Sequence, residues 1–325
     1  MMISPQLFAA AGLLAIASAQ LYPGTSNLNH TCAIQKPVLS CSAGAADPSA
    51  VDTCCVETFG GLFLSTQFWT ISTYRESQGQ LLPPSSWSVH GLWPDFCNGS
   101  YTQYCDLFRQ YDPEPSPNTT TGTPSGTPVP PWNGTTIDVW IRDFGRLDLL
   151  AWMEEYWIAQ GQPSAELWAH EFSKHATCFS TFDVPCYGPN YVEHQEIIEF
   201  FDTVIKYFLR EPTYEWLEKA GITPSNETAY SLADLQDALS QEYGAVPYLG
   251  CSGKRYNETE EGHGSNDTGR TSLSEVWYFS WANGRPQDQT GDTIVKVNST
   301  TKSSCATTEG AVWYYERAEG SERSE

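Results

Sequence analysis

The sequence is short of positive charge: 17 Lys and Arg face 39 Asp and Glu, a formal net charge of −22 at pH 7. Affinity for phosphate backbones comes from clustered cations that release counterions, so this balance argues against a tight non-specific nucleic-acid binder. Beyond residue 19 no apolar run reaches the ~18 residues that a membrane-spanning helix needs. Self-similarity at about 20 to 50 residues is also missing, which removes repeat architectures. Charged residues are only 17 % of the chain, while aromatics make up 13 %, with 12 Trp and 17 Tyr. Disordered, fibrous and coiled-coil compositions look different, so the chain is globular and rich in aromatics.

What is present points to export. Residues 7–19 (LFAAAGLLAIASA) form an apolar run too short to span a bilayer, closed by the small-x-small pattern Ala17-Ser18-Ala19. This reads as a signal peptide over residues 1–19, with Gln20 as the first mature residue and 20–325 as one catalytic domain. All ten cysteines follow the proposed cut, and their even number suits a disulfide framework whose pairing the spacing leaves open. Eight Asn-x-Ser/Thr sites, at Asn29, Asn98, Asn118, Asn133, Asn226, Asn257, Asn266 and Asn298, suit a secreted glycoprotein.

Seven prolines fall within residues 113–131, mixed with Thr, Ser and Gly. Such a stretch buries no core and reads as an extended, solvated surface insertion over about 113–134. Before it, the β-branched and aromatic segments 62–74 and 87–93 read as strands. After it, apolar periodicity and end signals predict helices over 148–160, 164–178, 193–210 and 231–243. Further strands are expected at 273–281, 293–297 and 312–315. Strands and helices are grouped rather than alternating, which is the α+β class.

Three of the six histidines lie in two short segments, Ser88–Cys97 (SVHGLWPDFC) and Leu167–Cys178 (LWAHEFSKHATC). With His170 set to zero on a helix of ~100° per residue, Lys174, Glu171 and His175 follow at about 40°, 100° and 140°, on one face. Two imidazoles, a carboxylate and an ammonium are costly to bury without partners, so water or an anionic substrate must satisfy them. His90 lies among bulky, weakly polar residues, an unusual place for a solvated histidine.

A zinc site on His90, His170 and His175 is disfavoured. Helical ligands stand four residues apart in the metalloprotease pattern, whereas His170 and His175 are one residue further apart and Lys174 would place an ammonium beside the metal. No cofactor is called for. A serine hydrolase would need a G-x-S-x-G elbow, which the sequence lacks. Proton transfer at a phosphate fits better. Cleaving RNA through its own 2′-hydroxyl needs a base, an acid and cations for the charge on phosphorus, which two histidines and a lysine supply.

At these residues the sequence resembles the ribonuclease T2 family of secreted acid endoribonucleases. Both family signatures are present, His90-Gly-Leu-Trp-Pro-Asp95 and Trp168-Ala-His170-Glu171-Phe-Ser-Lys174-His175-Ala-Thr-Cys178. Cys54-Cys55, Gly60-Gly61 and Thr66-Gln67-Phe68-Trp69 look most like its fungal branch. The resemblance implies a central antiparallel sheet with packed helices, stapled by disulfides, and the two motifs facing each other across a cleft. It implies His90 as the acid, His175 as the base, His170 on the phosphate, and Glu171 and Lys174 stabilising the transition state. Trp93, Asp95 and Tyr101 would form a base pocket, with Gln67 at a second one. The implied bridges are Cys32–Cys55, Cys41–Cys97, Cys54–Cys186, Cys105–Cys178 and Cys251–Cys305.

Leu167, where the family often has an aromatic residue, bears on the second base site. Phe172 and Ala176 replace a frequent Trp and Gly and read as packing changes. The implied substrate is single-stranded RNA, cut at acid pH without metal and with low base specificity, because near pH 4 to 5 carboxylates lose charge and the histidines are largely cationic. A monomer without protein partner or membrane contact, outside the cell or in a vacuole, completes the expectation. The other reading is a secreted effector or toxin-like glycoprotein that uses the fold for binding.

Overall fold

The computed structural model describes residues 32–255, 269–288 and 293–324. The proposed signal peptide and the sites at Asn29, Asn257 and Asn266 lie outside the described residues.

A six-stranded sheet carries the fold, built from β1 (Leu62–Phe68), β2 (Ser88–Asp95), β3 (Tyr248–Ser252), β4 (Thr271–Ala282), β5 (Ile294–Val297) and β6 (Val312–Trp313). The main path runs β2-β1-β4-β3, with β5 and β6 also pairing with β4. The pairings are antiparallel except that of β6, which joins β4 in parallel at Thr271 and Ser272. The sheet is therefore mixed rather than wholly antiparallel. β4 can hold four neighbours because it is 12 residues long and has two edges: β3 and β5 follow one another along one, at 272–277 and 279–282, and β6 and β1 along the other, at 271–272 and 275–280.

Among the described residues six α-helices pack around it: α1 (Ile137–Asp143), α2 (Leu147–Tyr156), α3 (Ser164–Lys174), α4 (Gln195–Phe208), α5 (Thr213–Lys219) and α6 (Leu232–Tyr243). In α4 the apolar spacing that predicts a helix buries Ile197, Phe200, Phe201, Val204 and Phe208 in one stripe. That stripe meets Phe63 of β1 and Val89 and Leu92 of β2 in the larger core, together with α1, α2 and α3. A second core gathers α5, α6, Val276 and Tyr278 of β4 and the C-terminal Tyr314. Trp69 and Trp87, read from sequence as packing residues, are both buried there. Phe172 and Ala176 are fully buried in the larger core.

The elements differ from the sequence reading mainly at their ends. The first strand stops at Phe68 instead of residue 74, and the helix expected over 164–178 ends at Lys174, with a 3-10 turn at Ala176–Cys178. The proline-rich segment, mostly exposed, has an order that its composition does not announce. It folds into a pinned hairpin: Thr120 N–H donates to Thr127 O at 2.9 Å, and Val129 N–H to Asn118 O at 2.9 Å. Gln103 Nε2 donates to Thr119 O at 2.6 Å, and Trp132 N–H reaches Asp112 O at 2.9 Å. Backbone groups that would otherwise need water are satisfied by neighbouring protein, so the segment lies on the surface without being free of it.

Five disulfides join Cys32–Cys55, Cys41–Cys97, Cys54–Cys186, Cys105–Cys178 and Cys251–Cys305. Two of them anchor the histidine segments, Cys97 just after β2 and Cys178 just after α3.

Candidate active site

Two elements bring the histidines together. α3 buries Leu167, Trp168, Ala169 and Phe172 against the core and turns His170, Glu171 and Lys174 toward β2. Its height over the sheet is fixed by a relay of indoles: Trp168 Nε1 donates to Trp157 O at 2.9 Å, and Trp157 Nε1 donates to His90 O at 2.9 Å. Gly91 then makes room. A Cβ at that position would lie 1.9 Å from Glu171 Oε2, so the carboxyl can sit on the strand only because the residue is glycine.

Glu171 is fully buried at the centre. Its Oε1 lies 3.5 Å from His90 Nε2, and its Oε2 lies 4.0 Å from His175 Nε2 while accepting the Trp93 indole N–H at 2.8 Å. The two imidazoles are held by aromatic faces. His90 stacks on Phe68 with ring centroids 3.7 Å apart, and His175 stacks on Trp93 at 4.8 Å. His90 Nδ1 points toward Glu275 Oε1 of β4 at 3.6 Å. Among the described residues, His90 Nδ1 and Glu171 Oε1 have no hydrogen-bond partner although both are buried. Orphaned buried polar atoms are rare in folded proteins, and here two carboxyls flank the His90 ring, Glu171 Oε1 on its Nε2 side and Glu275 on its Nδ1 side.

The cleft has a volume of about 490 Å³ and is lined by His90, His170, Lys174 and Leu167 with Asp112, Glu114 and Ser116 opposite. His170 Nδ1 meets Asp112 Oδ2 at 2.7 Å, and Lys174 Nζ donates to Ser116 O at 3.1 Å.

Burial, with His170 and Lys174 nearby, holds His90 well below the ordinary histidine value. Burial does the same to His175, aided by Lys174 and the other histidines. Burial pushes Glu171 up to about 8, against the pull of the Trp93 N–H and Lys174, and it lowers the Lys174 amine. Both sites thus favour the neutral ring, against the ready charging of an exposed histidine. Perturbations of this kind, clustered in a cleft, are a signature of chemistry.

The five residues singled out as catalytic thus cluster, His90, His170 and Lys174 lining the cleft and Glu171 and His175 buried beside them. The base-pocket candidates divide. Trp93 is committed to stacking on His175 and bonding Glu171, so it braces the site as much as it offers a face. Asp95 is partly buried, and burial raises it to about 7. Tyr101 is 62 % exposed, with its hydroxyl beside Gly122 of the hairpin. Gln67 does not enter this cleft: it is fully buried and spends its amide on Glu211 O at 2.8 Å and Thr213 Oγ1 at 2.7 Å. Its side chain alternates with that of Phe68, which takes the His90 side of β1. Asn98, Asn118, Asn133, Asn226 and Asn298 are all exposed.

One ligand atom each from His170, Glu171 and His175 lies within 4.8 Å of the others, so they converge as metal ligands could, closer than the helical angles suggest. His175 follows the last helical residue, which frees it from the ideal angle. The Trp93 N–H and Lys174 compete with any cation there. Sequence reading missed Asp112, Tyr104, Glu275, Phe68 and Gly91. Gly91 alone was within reach, as the residue after His90.

The chain resembles fungal proteins of known family. It is 35 % identical over 254 residues to Ribonuclease Trv of Hypocrea rufa, covering 78 % of this chain and 87 % of that one. Over 224 residues it is 38 % identical to Ribonuclease M of Aspergillus phoenicis, covering 68 % and 79 %. A "Ribonuclease T2-like" protein of Aspergillus fumigatus is 35 % identical over 223 residues, and the match spans only 47 % of that longer chain. The crystal structure of Actibind, described as a T2 ribonuclease, superposes with a TM-score of 0.65 at 29 % identity, covering 87 % of this chain and 97 % of that one. The sequence profile of the Ribonuclease T2 family matches residues 60–305, a span holding both histidine segments and the strand that bears Glu275, and the chain belongs to that family.

Proposed function

We propose that the chain is a secreted endoribonuclease that cleaves single-stranded RNA through the 2′-hydroxyl, giving a 2′,3′-cyclic phosphate and then a 3′-phosphate. The observation that carries this reading is a buried carboxyl, Glu171, set between two imidazoles at 3.5 and 4.0 Å. His175 takes the proton of the 2′-hydroxyl as its oxygen bonds to phosphorus, and His90 gives a proton to the departing 5′-oxygen. In the second step water replaces the departed group and the two histidines exchange roles. His170 and Lys174 hold the phosphate oxygens. Glu171, raised to about 8, is a neutral acid at low pH and donates its O–H to a phosphate oxygen while Trp93 steadies its other oxygen.

Turnover needs one histidine protonated and one neutral. Both are held below the usual 6.5, so that mixture forms at acid pH, and activity falls on either side. Acid also relieves the repulsion between RNA and a chain of charge −22. Five disulfides support export into an oxidising compartment.

The test follows cleavage of an RNA oligomer and its DNA counterpart at pH 4.5 with EDTA, for the wild type and His175→Ala. The expected result is cyclic-phosphate ends from RNA only, reduced about 100-fold or more in the variant. Loss of activity with EDTA would turn His170, Glu171 and His175 into metal ligands. A folded wild type inactive from pH 4 to 8 would overturn the enzyme reading and leave a binding glycoprotein.

A further inference from the structure

Just before the proline-rich hairpin, the chain places a buried carboxylate where neither histidine motif would predict one. Asp112 is 2 % exposed and fully bonded. Its Oδ1 accepts the Glu114 N–H at 2.9 Å, and its own N–H donates to Gln110 Oε1. Its Oδ2 accepts the Tyr104 hydroxyl at 2.8 Å and meets His170 Nδ1 at 2.7 Å. Tyr104 is fixed in turn: its hydroxyl accepts the Ser116 N–H at 3.1 Å, and its backbone N–H donates to Lys174 O at 3.0 Å. Its oxygen also lies 3.3 Å from His170 Nδ1, but the shorter contact, at 2.8 Å, gives the hydroxyl proton to Asp112 Oδ2, and that carboxylate oxygen has no proton of its own to offer His170. The short contact requires that His170 Nδ1 carry the hydrogen.

The geometry points to Asp112 as the positioning residue of His170, holding the ring with Nδ1–H inward and Nε2 turned to the cleft, with Tyr104 as its brace. This inference rests on the reading of His170 as the phosphate-binding histidine. An imidazole free to rotate would present either nitrogen, or neither, to a phosphate oxygen. One clamped at Nδ1 presents Nε2 in a fixed place, and the carboxylate stands as counter-charge when that nitrogen binds an anion as N–H. Ser116 contributes twice, since its backbone N–H secures Tyr104 and its carbonyl holds Lys174 Nζ at 3.1 Å. The turn 112–116 thus sets both phosphate-facing cations of α3 from outside the helix.

Asp112→Asn keeps the shape of the side chain and removes the charge. With its oxygen kept by the Glu114 N–H, the amide NH2 faces His170 Nδ1, which must then become the acceptor, moving the ring hydrogen to Nε2. The first measurement needs no activity: ring 15N shifts of His170 by NMR at a pH where the ring is neutral. The expected result is Nδ1–H in the wild type and Nε2–H in Asp112→Asn. The second is steady-state cleavage of an RNA oligomer, where kcat is expected to fall about 10- to 100-fold with a smaller change in KM. Tyr104→Phe, which leaves the Asp112 to His170 contact in place, should keep Nδ1–H and lose less activity. An unchanged tautomer and unchanged kcat in a folded Asp112→Asn would overturn the positioning role. A wild type without ribonuclease activity but with Nδ1–H on His170 would sink the functional reading and spare the clamp.

Discussion

At the scale of single residues the site depends on close approach as much as on reactive groups. Gly91 is the clearest instance, since a methyl there would overlap Glu171 Oε2 and crowd the Trp93 indole nitrogen at 3.0 Å. Gly91→Ala should displace the carboxyl from between the imidazoles and lower RNA cleavage by about tenfold or more, the scale of losing one preorganised group. Its melting temperature should change little, because a side chain can shift where backbone cannot; a large loss of stability with undiminished activity per folded molecule would contradict this. The five side chains proposed to act were legible in the sequence because they stand in two compact motifs. Their supports were not. Asp112 is 58 residues from His170, Trp157 is 67 from His90, and neither stands in a local pattern that marks its partner. Gln67 shows the converse, a polar residue in a suggestive motif whose side chain the strand turns to the far side of the sheet.

At the scale of elements, what the sequence specifies best is what has length. α4, with 14 residues, shows its buried stripe plainly, whereas α1 and α5 have seven residues each, too few for periodicity to declare itself. β3 hides behind its glycine and cysteine, and the order of the proline-rich segment stays hidden because composition reports missing core-formers and says nothing of backbone bonds to neighbours. The disulfide framework joins these pieces, and Cys105–Cys178 does so at the site itself. It closes a loop of 73 residues between the irregular segment carrying Tyr104 and the end of α3. Replacing both cysteines with alanine should destabilise the fold by about 4 kcal/mol, by the loop-entropy argument. Denaturant unfolding would measure it, and cleavage should weaken as His175 and Tyr104 lose their common anchor. A loss below about 1 kcal/mol would mean that the hydrogen bond from Tyr104 to Lys174 already fixes this junction.

At the scale of the whole molecule, buried acids set the response to pH. Glu171 and Glu211 are raised to about 8, and Asp95 and Asp288 to about 7, in each case chiefly by burial. Through these four acids the folded chain holds more protons than the unfolded one above pH 6.5, and their contribution to stability falls as pH rises toward 8, while the lowered Lys174 works against it. The lowered His90 and His175 act in the opposite sense, but only below 6.5, where the unfolded histidines begin to charge. Calorimetry should find the melting temperature lower at pH 8.5 than at 6.5. Glu211→Gln, which removes one buried acid outside the candidate site, should flatten that decline. A melting temperature that rises over this range would show that the carboxyls are already ionised in the fold.

The order in which the chain is made gives the sheet a further meaning. β4 pairs with β1, β3, β5 and β6, and it supplies Glu275 and Trp277 to the site, yet it lies at 271–282, far downstream of both histidine motifs. A ribosome has finished His175 about a hundred residues before it reaches the strand against which β1 must pair. At ~5 to 20 residues per second, that is several seconds in which the reactive side chains exist without the surface that aligns them. The proposed catalytic arrangement therefore cannot be complete until synthesis is nearly done.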